Sequence, residues 1–386
     1  MNNKPPIWIQ ITQTDMSGNG QTKLRSNGLS KAGYHALFAA RLMLKSFDKL
    51  VEMKWGFSQD SLLKEAWDRQ KVFIEAHHYA EDMGIIDPPD RRTLTLRTIY
   101  EPECPNLQIF ILGKIYMPDP DDAYTHALEY WHEINSLFPY DYSLIPIQTQ
   151  TDFNAISKYC FPIADETYPG TCIEITRYEG VLRSENTILN AVGEWSSTLA
   201  SNEKIWRILA SSPSAVMLNI TLRPTILEEY ELGMLAQVVE TSGTIAHNSK
   251  NPLTRQDGEL ISRLCSEKLK SMGYAYLAQL HVVSPSKLPE YIPRAIGSAL
   301  THHGREQFRD LGYQMCRPQN KGELLYWLNS IYCLEPCWTL GSIKDTRLQR
   351  LRYLVNVTEA SALLQLPFPS KGGIPGVSFE RQADQL

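Results

Sequence analysis

The amino-acid sequence predicts an α+β protein: two α/β-sandwich-like units of ferredoxin-like type, each with helices on one sheet face, then a C-terminal helix and an extended arm. Three observations carry this prediction. The chain has 386 residues, more than one ordinary hydrophobic core organises, so two domains are the default expectation. Strand-like alternation and helical stripes occur in two separate stretches, on either side of a turn-like segment, ADETYPGT, at 164–171. Three prolines and three glycines then fall within LPFPSKGGIPG at 366–376, directly after a helical pattern, and only Val377 to Leu386 follow. The expected units are 1–160, 161–340 and a C-terminal segment at 341–386.

A short strand (Ile7 to Ile11) opens the chain, ahead of a polar loop rich in Gly and Asn. From Lys31 to about Met83 the pattern predicts mostly helix, because Leu37, Ala40, Leu44, Phe47 and Val51 recur at three- and four-residue steps. DPPD at 87–90 stops it, since proline cannot continue a helix. TLTLRTIYE alternates apolar and polar residues and reads as a strand; LQIFILGKIYM reads as a second, mostly buried strand. PDPDDAYTHALEYWHEINSLF predicts a helix capped by Asp119, with Pro120 at its first position and two aspartates facing the positive end of the helix dipole. Ala123, Ala127, Trp131, Ile134 and Phe138 form its apolar stripe, and YSLIPIQT returns as a strand.

The second half repeats the alternation. CIEITRYEGVL, AVMLNITLRP and YAYLAQLHVVS read as strands; SNEKIWRILASS and LPEYIPRAIGSALTH read as helices. Two further helices are expected, Glu228 to Val239 and Gly258 to Met272, separated by the long polar loop TSGTIAHNSKNPLTRQD. A last helix is expected to carry Leu348, Leu351, Val355, Thr358 and Ala362 on one face.

Composition excludes several classes. An apolar fraction of 43% and a charged fraction of 21% are those of a globular protein. A formal charge of -5 leaves no electrostatic footprint for nucleic acid on the scale of the whole chain, and Lys344, Arg347, Arg350 and Arg352, the candidate local patch, scatter around a helix axis as a solvated face. Seven scattered cysteines and an N-terminus lacking a signal-peptide core predict a cytoplasmic protein with reduced thiols. No window approaches the roughly 20 apolar residues that cross a bilayer, so direct membrane insertion is not expected.

Candidate chemistry is sparse. Glu75 with His78 and Glu129 with His132 have the spacing of a di-metal bundle site, but strands lie between the pairs, so no metal is expected. His77–His78 and His302–His303 read as surface or interface histidines, and Cys333 and Cys337 as structural, buried thiols. Trp131, Trp195, Trp206 and Trp327 read as core. No nucleophile elbow occurs in the sequence. Neither a catalytic residue nor a cofactor is expected, although an enzyme of unrecognised type stays open as the alternative and nucleic-acid binding as a third class.

The C-terminal segment RLQRLRYLVNVTEASALLQLPFPSKGGIPGV resembles the stretch that joins the N-terminal region to the motor in bacterial ATPases of the HerA/FtsK superfamily, conjugation-type DNA translocases among them. There an LP-x-P…GG-x-PG stretch follows an EA-containing helix; here it corresponds to Glu359, Ala360, Leu366, Pro367, Pro369, Gly372, Gly373, Pro375 and Gly376. AVMLNITLRPTILEEYELGML is similar to the same accessory regions. The motor's phosphate-binding string, G-x-x-x-x-G-K-[ST], does not occur in the chain. The resemblance therefore implies a non-catalytic scaffold or adaptor that docks on a separately encoded partner, a P-loop ATPase or large complex, in a secretion, mobile-element or defence assembly. Homo-oligomers are compatible with it, and nucleic acid would be reached only indirectly. It assigns a partner-binding arm to Leu366, Pro367, Phe368, Pro369, Gly372, Gly373, Ile374, Pro375 and Gly376. Removing 366–386 is then expected to leave the folded units intact and to weaken association.

Overall fold

The computed structural model describes residues 5–11, 33–45, 59–78, 92–160, 170–184, 187–196, 199–271, 273–301, 312–337 and 350–368. The first half runs β1 (Trp8–Ile11), β2 (Tyr34–Leu44), α1 (Gln59–Ala76), β3 (Thr93–Glu101), β4 (Cys104–Met117), α2 (Pro120–Leu137) and β5 (Tyr142–Pro146). A short helix, α3 (Gln150–Ala155), and a 3-10 turn at Lys158–Cys160 follow. The start of α2 is built as its sequence dictates: the Asp119 side chain accepts from the Asp121 and Asp122 amides, and Pro120 occupies the first turn.

The second half contains β6 (Thr171–Arg177), a hairpin of β7 (Glu179–Ser184) and β8 (Thr187–Val192), α4 (Leu199–Ala210) and β9 (Val216–Thr225). Two long helices, α5 (Glu229–Asn248) and α6 (Pro252–Ser271), lead to β10 (Ala275–Ser284), α7 (Tyr291–Leu300), β11 (Tyr313–Cys316) and α8 (Lys321–Tyr332). The chain is described again from 350, through β12 (Leu354–Val355) and α9 (Val357–Leu363), to Phe368.

The architecture is mixed α and β around one ten-stranded antiparallel sheet in the order β1-β2-β4-β3-β9-β10-β6-β11, with β5 on β2 and β12 on β10. In each half the connectivity is strand, helix, two strands, helix, strand, with insertions in the second half. The first-half strands lie as β5-β2-β4-β3, and the second-half strands as β9-β10-β6-β11. The two halves share the sheet: β3 pairs with β9 from Leu94↔Leu222 to Tyr100↔Val216. The expected boundary at 160–161 thus falls between two halves of one continuous sheet; of ADETYPGT only Gly170 and Thr171 lie within the described residues.

Both sheet faces are covered, which corrects the expectation of helices on one face. α1, α2, α4, α7 and α9 pack on one side, over Leu96, Ile111, Ile175, Ile220 and Leu280. α3, the 3-10 turn and α8 pack on the other, around Leu112, Phe153, Met217, Trp327 and Ile331. Other corrections have simple causes. The apolar steps through Leu37, Ala40 and Leu44 belong to strand β2, not to a helix; β2 is central and buried on both faces, so it shows no polar alternation. CIEITRYEGVL splits at Tyr178 into β6 and β7. Most of TSGTIAHNSKNPLTRQD is helix, leaving only 249–251 between α5 and α6, with the Asn251 side chain accepting from the Leu253 amide at 3.0 Å. The last helix is shorter than expected, because Leu354 and Val355 pair with Leu277 and Tyr276 of β10.

Candidate functional site

Residues 350–368, which include Glu359, Ala360, Leu366 and Pro367, form a seat buried against both halves. β12 joins β10 of the second half, and α9 packs against α1 of the first. The Gln70 side chain of α1 grips the segment twice: its Nε2 donates to Ser361 O at 2.8 Å, and its Oε1 accepts from the Leu366 amide at 3.0 Å. The Tyr142 hydroxyl donates to Pro367 O at 2.9 Å, and Phe368 lies 5.7 Å from the Trp67 ring. Leu366 is fully buried, and Phe368 nearly so.

At the centre of the seat is Glu359. Its Oε2 accepts from the Asn356 amide while Asn356 Oδ1 accepts from the Glu359 amide, a reciprocal cap that starts α9. Its Oε1 takes Arg177 Nη1 at 2.7 Å and the Trp195 amide at 3.1 Å. Arg177 spends its other terminal nitrogen on the carbonyls of Leu351, Arg352 and Leu354. Lys268 of α6 approaches Glu359 Oε2 at 3.9 Å. Burial alone would raise the Glu359 carboxyl, but Lys268, Arg177 and two backbone amides outweigh it and hold it below the ordinary range. Burial pushes Lys268 the other way, down to about 8, with the Arg177 charge adding to the effect. The basic residues expected on a solvated face are part of this construction: Arg352 is buried with its Nε 3.2 Å from Glu179, and Arg350 Nε lies 2.8 Å from Glu231. Lys344 and Arg347 fall outside the described residues.

A second concentration of polar groups crosses the opposite sheet face. Arg97, Asn219, His281, Glu174 and Cys316 are successive register partners on β3, β9, β10, β6 and β11. Arg97 is fully buried at the seam and donates to Asn219 Oδ1, Ser157 Oγ, Ile156 O and Ile331 O, tying both halves to α8 and the 3-10 turn. Nearby, buried Lys114 pairs with Glu335, which also lies 3.5 Å from His35 Nε2. Burial would raise Glu335, yet Lys114, Arg223 and His35 bring it down to about 2. The covering helix α8 makes these strand polar residues interior.

Of the residues assigned to the arm, Leu366, Pro367 and Phe368 pack inside the chain's own seat; Pro369, Gly372, Gly373, Ile374, Pro375 and Gly376 lie outside the described residues. His77 and His78, expected at a surface or interface, are buried within the chain. His77 bonds the Tyr130 hydroxyl at 2.7 Å, with burial lowering it to about 3, while His78 Nε2 donates to the carbonyls of Thr225 and Ala275 at the root of the α5–α6 insertion. His302 and His303 are outside the described residues. Cys333 is half-buried and Cys337 buried, both as free thiols. Trp131, Trp195, Trp206 and Trp327 are core. Among the described residues, no group of three His, Cys, Asp or Glu side chains could hold a metal ion, and no helix is long and apolar enough to cross a membrane. No protein-family model matches the chain, and no curated protein matches it.

Proposed function

We propose that the protein is a non-catalytic scaffold or adaptor, a counterpart of the accessory region of a HerA/FtsK-like ATPase. It docks on a separately encoded P-loop motor in a cytoplasmic secretion, mobile-element or defence assembly of bacterial type. The observation that carries this reading is the seat. A connector that sets a motor's position relative to an accessory body needs a fixed root. Residues 350–368 supply one, because β12, the Arg177–Glu359 pair and Leu366 attach the segment to both halves. The residues after it, Pro369 to Gly376, combine fixed proline dihedrals with permissive glycines, a composition suited to an extended, bent connector.

The strand orders support the finer fold reading, two ferredoxin-like units. Numbered within each half, β5-β2-β4-β3 is 4-1-3-2, and β9-β10-β6-β11 is the same order reversed. Two like units thus meet through their second strands, with the β7–β8 hairpin and the α5–α6 pair inserted in the second.

The test is a reconstitution. The purified chain is mixed with the P-loop ATPase encoded beside it and followed by light scattering after size exclusion, with nucleotide turnover measured for each alone and together. The expected result is a stable complex and no ATP hydrolysis by this chain alone. Turnover that tracks this chain through purification, or two proteins that elute independently, overturns the reading.

A further inference from the structure

β11 is the outermost strand beyond β6 among the described residues, and all four of its residues are half-exposed. Its register decides which backbone groups face outward. In an antiparallel pair, opposed residues alternate between those that exchange both backbone hydrogen bonds and those whose amide and carbonyl point the other way. The Tyr178 amide donates to Gly312 O at 2.9 Å, and the register continues as Tyr313↔Arg177, Gln314↔Thr176, Met315↔Ile175 and Cys316↔Glu174. Gln314 and Cys316 therefore bond β6 through their backbones. The N–H and C=O of Tyr313 and Met315 point away from the sheet, where an added strand would meet them. The strand is held in place from its α7 side. Tyr313 and Met315 pack against the main core, and Gly297 of α7 lies so close to the Tyr313 ring that a Cβ there would overlap it.

The surface at the end of β11 is basic. Arg317 follows the strand, and Arg294 projects from α7; the two exposed guanidiniums share one carboxylate, Glu290, at 3.4 and 2.8 Å. Lys287 is exposed beside Leu288, whose amide donates to Thr171 at the start of β6. Lys321 is exposed at the first residue of α8. Against these cations stand Glu290 and Glu323, and Glu323 Oε2 is occupied by the Gln319 amide at 2.7 Å. Charge then selects the occupant. A second copy pairing edge to edge would bring the same cations together, which like-charge repulsion opposes, whereas an acidic strand is attracted.

We propose that β11 takes up an extended acidic segment of a partner protein as an added antiparallel strand. The backbones of Tyr313 and Met315 bond it, and Arg294 and Arg317 balance its charge. Residues of the added strand opposite Tyr313 and Met315 share their face of the sheet and are apolar. A residue opposite Arg317 falls two positions further on, on that same face, and is acidic. This surface is separate from the connector after Phe368, and the inference does not depend on the partner being an ATPase.

The experiment uses the full chain and an acetylated heptapeptide, Glu-Glu-Val-Thr-Val-Glu-Glu, with hydrogen exchange resolved to single amides. The peptide should slow exchange at Tyr313 and Met315 and leave Gln314 and Cys316, already bonded to β6, unchanged. The same peptide methylated on both valine nitrogens keeps its charge, loses the ladder donors and should lose binding. A counterpart with lysine for every glutamate should not bind. Arg294→Glu together with Arg317→Glu, both at exposed positions, should weaken the acidic peptide at least roughly tenfold. Unchanged exchange at Tyr313 and Met315, or equal slowing by the lysine peptide, overturns the proposal. So does slow exchange of those two amides in the chain alone: if it persists on dilution the chain covers its own edge, and if it is lost on dilution a second copy is the occupant.

Discussion

Glu359 is one carboxylate serving two buried cations and two backbone amides, so its loss and the loss of a cation should have opposite effects. Replacing Glu359→Ala leaves Arg177 and Lys268 buried without their anion, and breaking a buried pair from one side costs about 3–5 kcal/mol. Urea denaturation should show that loss. Lys268 is the weaker member: it stands 3.9 Å from the carboxylate, and its Nζ has no hydrogen bond. Its folded-state pKa, about 8, lies below the ordinary 10.5, so between those values the unfolded chain binds more protons and stability rises with pH. Below pH 8 the cost of burying the charge is fully present. Lys268→Met, similar in length and uncharged, should therefore be more stable than wild type at pH 7, with the gap closing as pH rises from 8 towards 10.5. A gap independent of pH across that window would show that the burial cost of Lys268 is not electrostatic. Glu359 and Ala360 were legible in the sequence as a motif, but Arg177 was not. It lies 182 residues away in a strand, where a lone arginine looks like surface.

At the scale of elements, legibility followed the chemistry of the two faces and the presence of local punctuation. β3 is buried on both faces yet was readable, because Thr93, Thr95 and Arg97 alternate with Leu94 and Leu96, and α2 was readable because Asp119 and Pro120 mark its start. β2 was not, because both its buried faces are apolar, so the period is lost and an alanine-rich strand then passes for helix. The α5–α6 pair was half-missed because near its turn the contact runs through small residues, Ser242, Ala246 and Gly258, that read as loop, while Leu235 and Ile261 pack further along. That contact is close: a Cβ added to Gly258 would sit 2.8 Å from Ser242 O and 3.0 Å from the Ala246 amide nitrogen. Gly258→Ala tests the packing. Helix propensity favours alanine by about 1 kcal/mol, while overpacking against backbone costs about 1–3 kcal/mol. The backbone oxygen cannot swing aside as a flexible side chain would, so the clash should win. Hydrogen exchange should speed in α5 and α6, with protection in β3 and β9 unchanged. Slower exchange in the pair would show that the helices part cheaply and that propensity decides.

For the whole molecule, the sheet crossing the two halves was the least legible feature. Pairing β3 with β9 joins residues more than a hundred positions apart, and no local pattern announces the partner of an edge strand. The seat completes this long-range construction, and it divides the C-terminal segment into two parts with different expected roles. A chain ending at Phe368 keeps the Gln70 bonds, the Tyr142–Pro367 bond and the buried Leu366 and Phe368 side chains. It should melt as the full chain does, while losing association with the proposed motor, because the connector proposed to follow the seat is gone. A chain ending at Gln365 gives up those apolar anchors and leaves Gln70 Oε1 and the Tyr142 hydroxyl without their partners, while Gln70 Nε2 keeps Ser361 O. Truncating one fully buried leucine to alanine costs about 2–5 kcal/mol, so this chain should lose at least that much stability. The sequence-level expectation that removal from Leu366 onward spares the fold is therefore replaced by a boundary after Phe368. Calorimetry of the two truncations, with the single substitution Leu366→Ala as a third point, locates it. Two truncations with equal melting temperatures would mean that the seat does not extend to Leu366; motor binding retained by the chain ending at Phe368 would mean that the connector is not where the partner is held.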